Sequence, residues 1–303
     1  MAVVSDTKTP NLRCLKAAFL AMEPSNCLIS LARRTSGGSL TEEVQNFILE
    51  LCVNSSDISC NLSYMMNILK KVIVEAESTC EVVVEGLYEQ FAKIALLQVY
   101  VLRREENRIL KKISFFLPSG IDDRSSQRNL VVSLYCSLNL LEGLVGVALA
   151  HVGASKVILT DGDGSTLENM KCNLELNHLR SGKVQSRYLP WEFAAESELL
   201  KYEHDCVLGA DIIYDPKCVP HLIEVLRMLL KSKRTFILPE EKEASVAYLA
   251  TVIRNKETFN YFLRAAEEAH LSVMDITQDW QPLNLLPYML SYDRTSVCLY
   301  RIS

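Results

Sequence analysis

The chain has 303 residues, 49% apolar and 23% charged, proportions that exclude a disordered chain and a polytopic membrane bundle and leave room for two domains. Lys and Arg number 32 against 37 Asp and Glu; residues 1–120 hold 13 of each sign, so the whole acidic excess falls in 121–303. No segment is basic enough to follow a phosphate backbone, and a direct nucleic-acid partner is not expected.

The first 113 residues read as helices. Ser39-Leu40-Thr41-Glu42 has the form of a capping box, followed by Val44, Phe47, Ile48 and Leu51 at helical spacing. Tyr64, Met65, Ile68, Leu69 and Val72 make a second stripe, and Leu87, Phe91, Ile94, Ala95 and Leu97 to Val101 a third. All three are expected to face a core rather than a cofactor. The segment carries no catalytic constellation, so a helical docking or support domain is expected over 1–113.

Ser114 to Pro118 (SFFLP) reads as a short strand, and the polar stretch Gly120 to Asn129 as a linker; together they set a boundary segment at 114–129. Leu130 to Ala150 carries a single charge, Glu142, and is long enough to span a bilayer. The carboxylate at mid-span disfavours insertion, and a buried-sheet region is expected instead, with no membrane contact. From 130 to 303 short apolar runs alternate with helical stretches. The strands read are KVILT ending at Asp161, Val184–Leu189, the run into Gly209-Ala210, Val246–Arg254, Leu271–Ile276 and Ser296–Ile302; helices are read after Asp163, over His221–Lys231 and over 256–269. This alternation predicts a parallel, doubly wound α/β sheet with its ligand at the C-terminal strand ends.

The ten cysteines (14, 27, 52, 60, 80, 136, 172, 206, 218 and 298) stand singly, without a C-x-x-C, as buried free thiols of a reducing compartment would. Cys218 with His221, and His204 with Cys206, lack a second ligand pair, so no metal site is expected. The N-terminus has no sustained apolar core, so a secretory signal is not expected and the cytoplasm is the expected location.

Three features carry chemistry. Asp161 ends a strand, where a carboxylate can accept hydrogen bonds from ribose hydroxyls; Asp163 is the near competitor, and an ordinary Asp-Gly turn explains the pair equally well. Trp191, in Leu189-Pro190-Trp191-Glu192, can cover an adenine or plug a domain edge. In Gly209-Ala210-Asp211-Ile212-Ile213-Tyr214-Asp215-Pro216 an apolar strand delivers Asp211 to the sheet edge, with Tyr214 in the loop that follows. An acid and a phenol there can orient a cationic or amine substrate; the alternative makes Asp211 a helix cap and Tyr214 a packed ring.

The order VILTD, LPW, GADIIYDP, TVIRNKETF resembles the seven-strand, S-adenosylmethionine-dependent protein-lysine methyltransferases with a D-x-x-Y motif. With a helical N-terminal half ending in FFLPSG, it is similar to the eukaryotic elongation factor 2 lysine methyltransferase family. The resemblance implies a Rossmann-like, doubly wound seven-strand methyltransferase sheet, incomplete in this chain, behind an α-helical N-terminal domain. It implies S-adenosyl-L-methionine as cofactor, a lysine of elongation factor 2 as substrate, and a monomer. Residue by residue, Asp161 would hold the cofactor ribose, Trp191 would lie beside the adenine, Ala210 would contact the cofactor through its backbone, and Gly143 and Gly146 would form part of the glycine loop. Asp211 and Tyr214 would frame the channel where the lysine amine meets the methyl group. That in-line displacement depends on positioning; Asp211 or a backbone carbonyl would hold the amine while water takes its proton, with no histidine base.

The glycine loop departs from the family pattern E-x-G-x-G-x-x-G. With the last two glycines on Gly143 and Gly146, Leu141 stands where the first glycine belongs and Asn139 where the acid belongs. The tryptophan-bearing segment before the loop has no counterpart, so Glu142-Gly143 reads as a junction across a missing block. A side chain at 141 intrudes where the backbone must approach the ligand, and loss of the central first strand leaves its neighbours without ladder partners. Weak or absent cofactor binding is therefore expected, with Val131–Cys136 as a makeshift central strand. The second reading is a catalytically impaired chain acting as a protein-interaction module. A nicotinamide-dependent dehydrogenase ranks third, because GLVG is only a fragment of G-x-G-x-x-G.

Overall fold

A computed structural model describes residues 11–54, 61–79, 81–102, 111–117, 130–136, 143–179, 182–202, 204–231, 245–279 and 286–303. These form two compact units: one from the described residues of 1–157, 168–185 and 284–292, the other from those of 158–167, 186–283 and 293–303.

The first unit opens with α1 (Leu12–Leu20), α2 (Ser25–Thr35), α3 (Glu42–Val53), α4 (Leu62–Ser78) and α5 (Glu85–Leu102). Apolar residues three and four apart bury one face of each helix: Val44, Ile48 and Cys52 on α3, Met65, Ile68, Leu69 and Val72 on α4, Leu87 and Ile94 on α5. Two expectations are corrected. The box at Ser39 does not form, because α3 starts at Glu42 with Thr41 as N-cap and no side-chain cap hydrogen bond. Glu42 is thus the first helical residue rather than the third. On α5 the run after Ile94 does not face the core; Leu96, Val99 and Tyr100 are exposed. Apolar residues on every side of that turn leave periodicity no face to select.

β1 (Lys111–Leu117) and β2 (Leu130–Cys136) pair antiparallel, Lys111 opposite Cys136 and Leu117 opposite Leu130. The expected role of Val131–Cys136 as a central strand is therefore corrected: β2 finds its partner in β1. Side chains close the outer edges of this ribbon. The Asn61 amide donates to the Lys112 carbonyl (2.8 Å) and accepts from its N–H (3.1 Å), and the Tyr288 hydroxyl bonds the Phe116 N–H and carbonyl at 2.8 and 3.2 Å. Asn177 does the same on β2, accepting from the Ser133 N–H (3.1 Å) and donating to its carbonyl (2.6 Å). Each amide supplies the donor and acceptor a missing strand would have supplied. After β2, α6 spans Leu144–His151. The 130–150 stretch is thus a strand and a short helix, and among the described residues no helix is long and apolar enough to cross a membrane.

Beyond α6 the chain continues as β3 (Val157–Asp161), α7 (Gly164–Leu176), β4 (Val184–Tyr188), a 3-10 turn at Trp191–Phe193, α8 (Glu196–Leu199), β5 (Cys206–Ala210), α9 (Val219–Lys231), β6 (Val246–Val252), α10 (Lys256–Glu268), β7 (Val273–Asp275) and β8 (Val297–Ile302). β3 pairs with β4, and β5, β6, β8 and β7 form a four-stranded sheet in that order. β5 and β6 are parallel, as expected. β8 is antiparallel to both β6 and β7, a correction to the all-parallel expectation. A 3-10 turn, Arg294–Ser296, precedes β8, and among the described residues between β7 and β8 there is no crossover helix of the kind that returns a chain in parallel. No described strand pairs with the second edge of β3 or of β5.

The core of the second unit joins α9, α10 and the four-stranded sheet through Leu222, Leu226, Leu249, Phe262, Tyr300 and Ile302. Phe259 stacks on Phe262 at 6.2 Å and tilts onto Tyr300 at 5.0 Å. Buried Gly209 on β5 has no room for a side chain: a Cβ there would lie 2.5 Å from both Ile212 Cδ1 and Leu249 Cδ2. Gly209→Ala is expected to cost about 1–3 kcal/mol by overpacking. Urea denaturation reads this, and a change below about 0.5 kcal/mol would contradict it.

Candidate functional site at the strand ends

The C-terminal ends of β3, β4 and β5 carry Asp161, Trp191 and Asp211–Tyr214. The β3 and β4 ends lie close together. The Leu189 N–H donates to the Asp161 carbonyl at 2.9 Å, and a Cβ on Gly162 would stand 3.3 Å from Pro190 Cα. The half-buried Asp161 carboxylate accepts the Asp163 N–H on one oxygen at 2.8 Å. The other oxygen has no partner among the described residues and can accept from a hydroxyl. Asp163, the competitor, takes the Thr166 N–H at 2.8 Å and the Ser165 hydroxyl. These bonds hold its carboxyl below the usual range, and it acts as the cap of α7. Trp191 is half-buried and packs against the Leu222–Phe262 core and a smaller cluster of Leu189, Leu199, Val225 and Met228. Ala210 is exposed, opposite Ala250 in register.

Within GADIIYDP the local packing separates chemistry from anchoring. Ile213 is buried in the core and Ile212 packs against it, whereas Asp211 is half-exposed and Tyr214 is 67% exposed. Asp211 adopts φ +54°, the left-handed region, and donates its N–H to the Ala250 carbonyl at 2.7 Å. It does not cap α9: its two carboxylate oxygens accept from Arg254, Nη1 at 2.9 Å and Nη2 at 2.7 Å. Arg254 holds the carboxyl below the usual range, against a smaller opposing push from partial burial. The pair therefore persists above the ordinary carboxylate range and is lost as pH falls through the lowered value. The turn before α9 belongs to Asp215, whose carboxylate accepts the Lys217 N–H at 2.9 Å.

Partial burial, then Cys218, Asp161 and Asp215, push the Tyr214 phenol up, so it is neutral at pH 7 and can donate a hydrogen bond. Burial, then Asp215 and Glu192, push the Cys218 thiol up. Asp161, Glu192 and Asp215 thus act electrostatically on the Tyr214–Cys218 loop, an acidic rim suited to a cationic chain. Among the described residues no group of three His, Cys, Asp or Glu side chains could hold a metal ion.

Of the other expected residues, Gly143 caps α6 at φ +83°, a conformation L side chains rarely adopt, and Gly146 is buried in that helix. Both belong to the first unit. Asn139, Leu141 and Glu142 lie outside the described residues, as does the 120–129 linker. Sequence reasoning missed Arg254. Its signal was a cation two residues past the end of β6, the parallel neighbour of β5, and therefore at the same sheet edge as Asp211.

The sequence profile of the lysine methyltransferase family matches residues 132–264, which contain Asp161, Trp191, Asp211, Tyr214 and Arg254. Over this segment the chain is similar to the lysine methyltransferase family. Among curated proteins the chain is 33% identical over 202 residues to an uncharacterized protein of Dictyostelium discoideum, covering 56% of this chain and 53% of that one. It is 29% identical over 131 residues to human protein-lysine N-methyltransferase EEF2KMT (40% and 38%). The thermophilic fungus Chaetomium thermophilum has a protein-lysine N-methyltransferase EFM3 that is 36% identical over 131 residues (41% and 36%). The chain spans about half or less of the length of these relatives.

Proposed function

We propose that the chain methylates a lysine of a protein, with elongation factor 2 as the substrate and S-adenosylmethionine as the methyl donor, in the cytoplasm. The carrying observation is the rim at the strand ends: Asp161 with one oxygen open, Asp211 fixed by two hydrogen bonds, and a neutral Tyr214 within electrostatic reach of Asp161. When bound, S-adenosylmethionine supplies an electrophilic sulfonium methyl that passes to a neutral amine as the C–S electron pair returns to sulfur. Asp161 would take the ribose hydroxyls, and Trp191 would border the adenine from its place against the core. Asp211 and Tyr214 would line the acceptor's approach, and the acidic rim of Glu192 and Asp215 would draw a basic segment towards it. The amine's proton leaves to water.

Mass spectrometry of elongation factor 2 incubated with the protein and S-adenosylmethionine tests this: a lysine gains methyl groups, and none appears with Asp211→Ala. Leu141 and Asn139 in the glycine loop favour the second reading, an impaired chain that retains protein binding. Calorimetry with S-adenosylmethionine is accordingly expected to give an affinity weaker than the micromolar range, about −8 kcal/mol. A low-micromolar value would remove the grounds for that second reading.

A further inference from the structure

Arg254 sits in a short, firmly anchored connection. β6 ends at Val252, and the Arg254 N–H donates back to the Val252 carbonyl at 2.9 Å. The next residue, Asn255, caps α10 by accepting the Glu257 and Thr258 N–H groups at 2.9 and 3.2 Å. The guanidinium therefore leaves a backbone fixed on both sides and meets Asp211 as a two-pronged fork. The side chains are 62% and 43% exposed. A pair this exposed contributes little to stability, so what its geometry supplies is orientation and charge.

We propose that Arg254 is a positioning residue that keeps the Asp211 carboxylate turned and charge-compensated beside the acceptor's approach, so that an incoming lysine is not held there as ammonium. The proposal rests on the reading under Proposed function. A free lysine amine is protonated at pH 7, and only its neutral form attacks. An unpaired carboxylate at the channel wall would favour the ammonium further, whereas a carboxylate already forked by a guanidinium does not. Other ionizable groups at the rim include Tyr214, which is neutral, Cys218, Lys217 in the same loop, and the carboxylates Asp161, Glu192 and Asp215, which act on that loop. Arg254 is the cation facing Asp211.

The test compares wild type, Arg254→Gln and Arg254→Lys, with purified elongation factor 2 as acceptor and saturating S-adenosylmethionine, from pH 6.5 to 9.5. For Arg254→Gln, kcat at pH 7.5 is expected to fall about three- to tenfold and recover by pH 9. Its pH limb should move alkaline by about half to one unit while KM for the acceptor does not rise. Arg254→Lys is expected to restore part of the shift. Carbon-13 NMR titration of the Asp211 carboxyl without cofactor gives a second readout: its midpoint should rise in Arg254→Gln. A loss uniform across pH, an unshifted profile or an unmoved Asp211 midpoint would overturn the proposal. Wild-type protein that transfers no methyl group at any pH would instead overturn the methyltransferase reading, and the proposal with it. Thermal melts of the three proteins distinguish a folding defect from a shifted profile.

Discussion

Under the proposed function, Asp211→Ala is expected to lower methyl transfer to elongation factor 2 at least about a hundredfold, equivalent to about 2.7 kcal/mol of transition-state stabilisation. Three effects combine. Alanine at φ +54° carries strain of about 1–2 kcal/mol that aspartate, with its short polar side chain, better accommodates. Arg254 loses both acceptors and can swing into the approach path. The side chain that would line the amine's approach is gone. Asp211→Asn separates these effects, because asparagine tolerates the left-handed region and keeps one acceptor for Arg254 but carries no charge. It should fold like wild type and lose most of the same activity. Single-turnover rates with labelled S-adenosylmethionine decide the matter, and rates within about threefold of wild type for both variants would remove Asp211 from the machinery.

In the first unit the largest effect is expected at Glu23. Its carboxylate is buried, with 2% exposure. One oxygen accepts the Leu290 and Ser291 N–H groups at 2.8 and 2.9 Å, and the other accepts the Ser291 hydroxyl at 2.7 Å. Its carbonyl accepts the Tyr64 hydroxyl at 2.8 Å, and burial, then Glu23 and Cys52, push that phenol well up, so it stays a donor. Glu23→Ala strands two amides and a hydroxyl. Each charge-assisted bond contributes about 1.5–3 kcal/mol, and water entry recovers part, so a loss of about 3–5 kcal/mol is expected. Glu23→Gln, which keeps one acceptor oxygen, should lose about half as much. Denaturant unfolding measures both, and hydrogen exchange at Leu290 and Ser291 reports the local opening. Unchanged protection at these two amides in Glu23→Ala would contradict the assignment.

The helical half was legible because its signal is periodic and local. Val44 and Ile48, and Met65 through Val72, bury the faces their spacing predicts, whereas the α5 run fails where apolar residues occupy every side. The strand-end acids were legible from their place after apolar runs. What Asp211 does there was not: the choice between a helix cap and a site residue depends on Arg254, 43 positions away. Trp191 was read two ways, and the structure packs it against the core while leaving it half-exposed.

Sequence alone determined the local matters: where most of the helices and strands run, that Gly209, Asp211 and Tyr214 follow one another on one strand and loop, and that Leu141 and Asn139 stand where the resembled family pattern has a glycine and an acid. Each depends on residues within one or two turns of chain, where side-chain period and backbone preference act directly. The tertiary structure decided the pairings between distant residues. It gave β2 to β1 rather than to the central sheet, turned β8 antiparallel, closed the β1–β2 edges with Asn61, Asn177 and Tyr288, tied Glu23 to Ser291, and set Arg254 on Asp211. The physical reason is that hydrogen-bonding groups left open by one segment must be satisfied by whichever segment folding brings alongside, and no local pattern records which one that is.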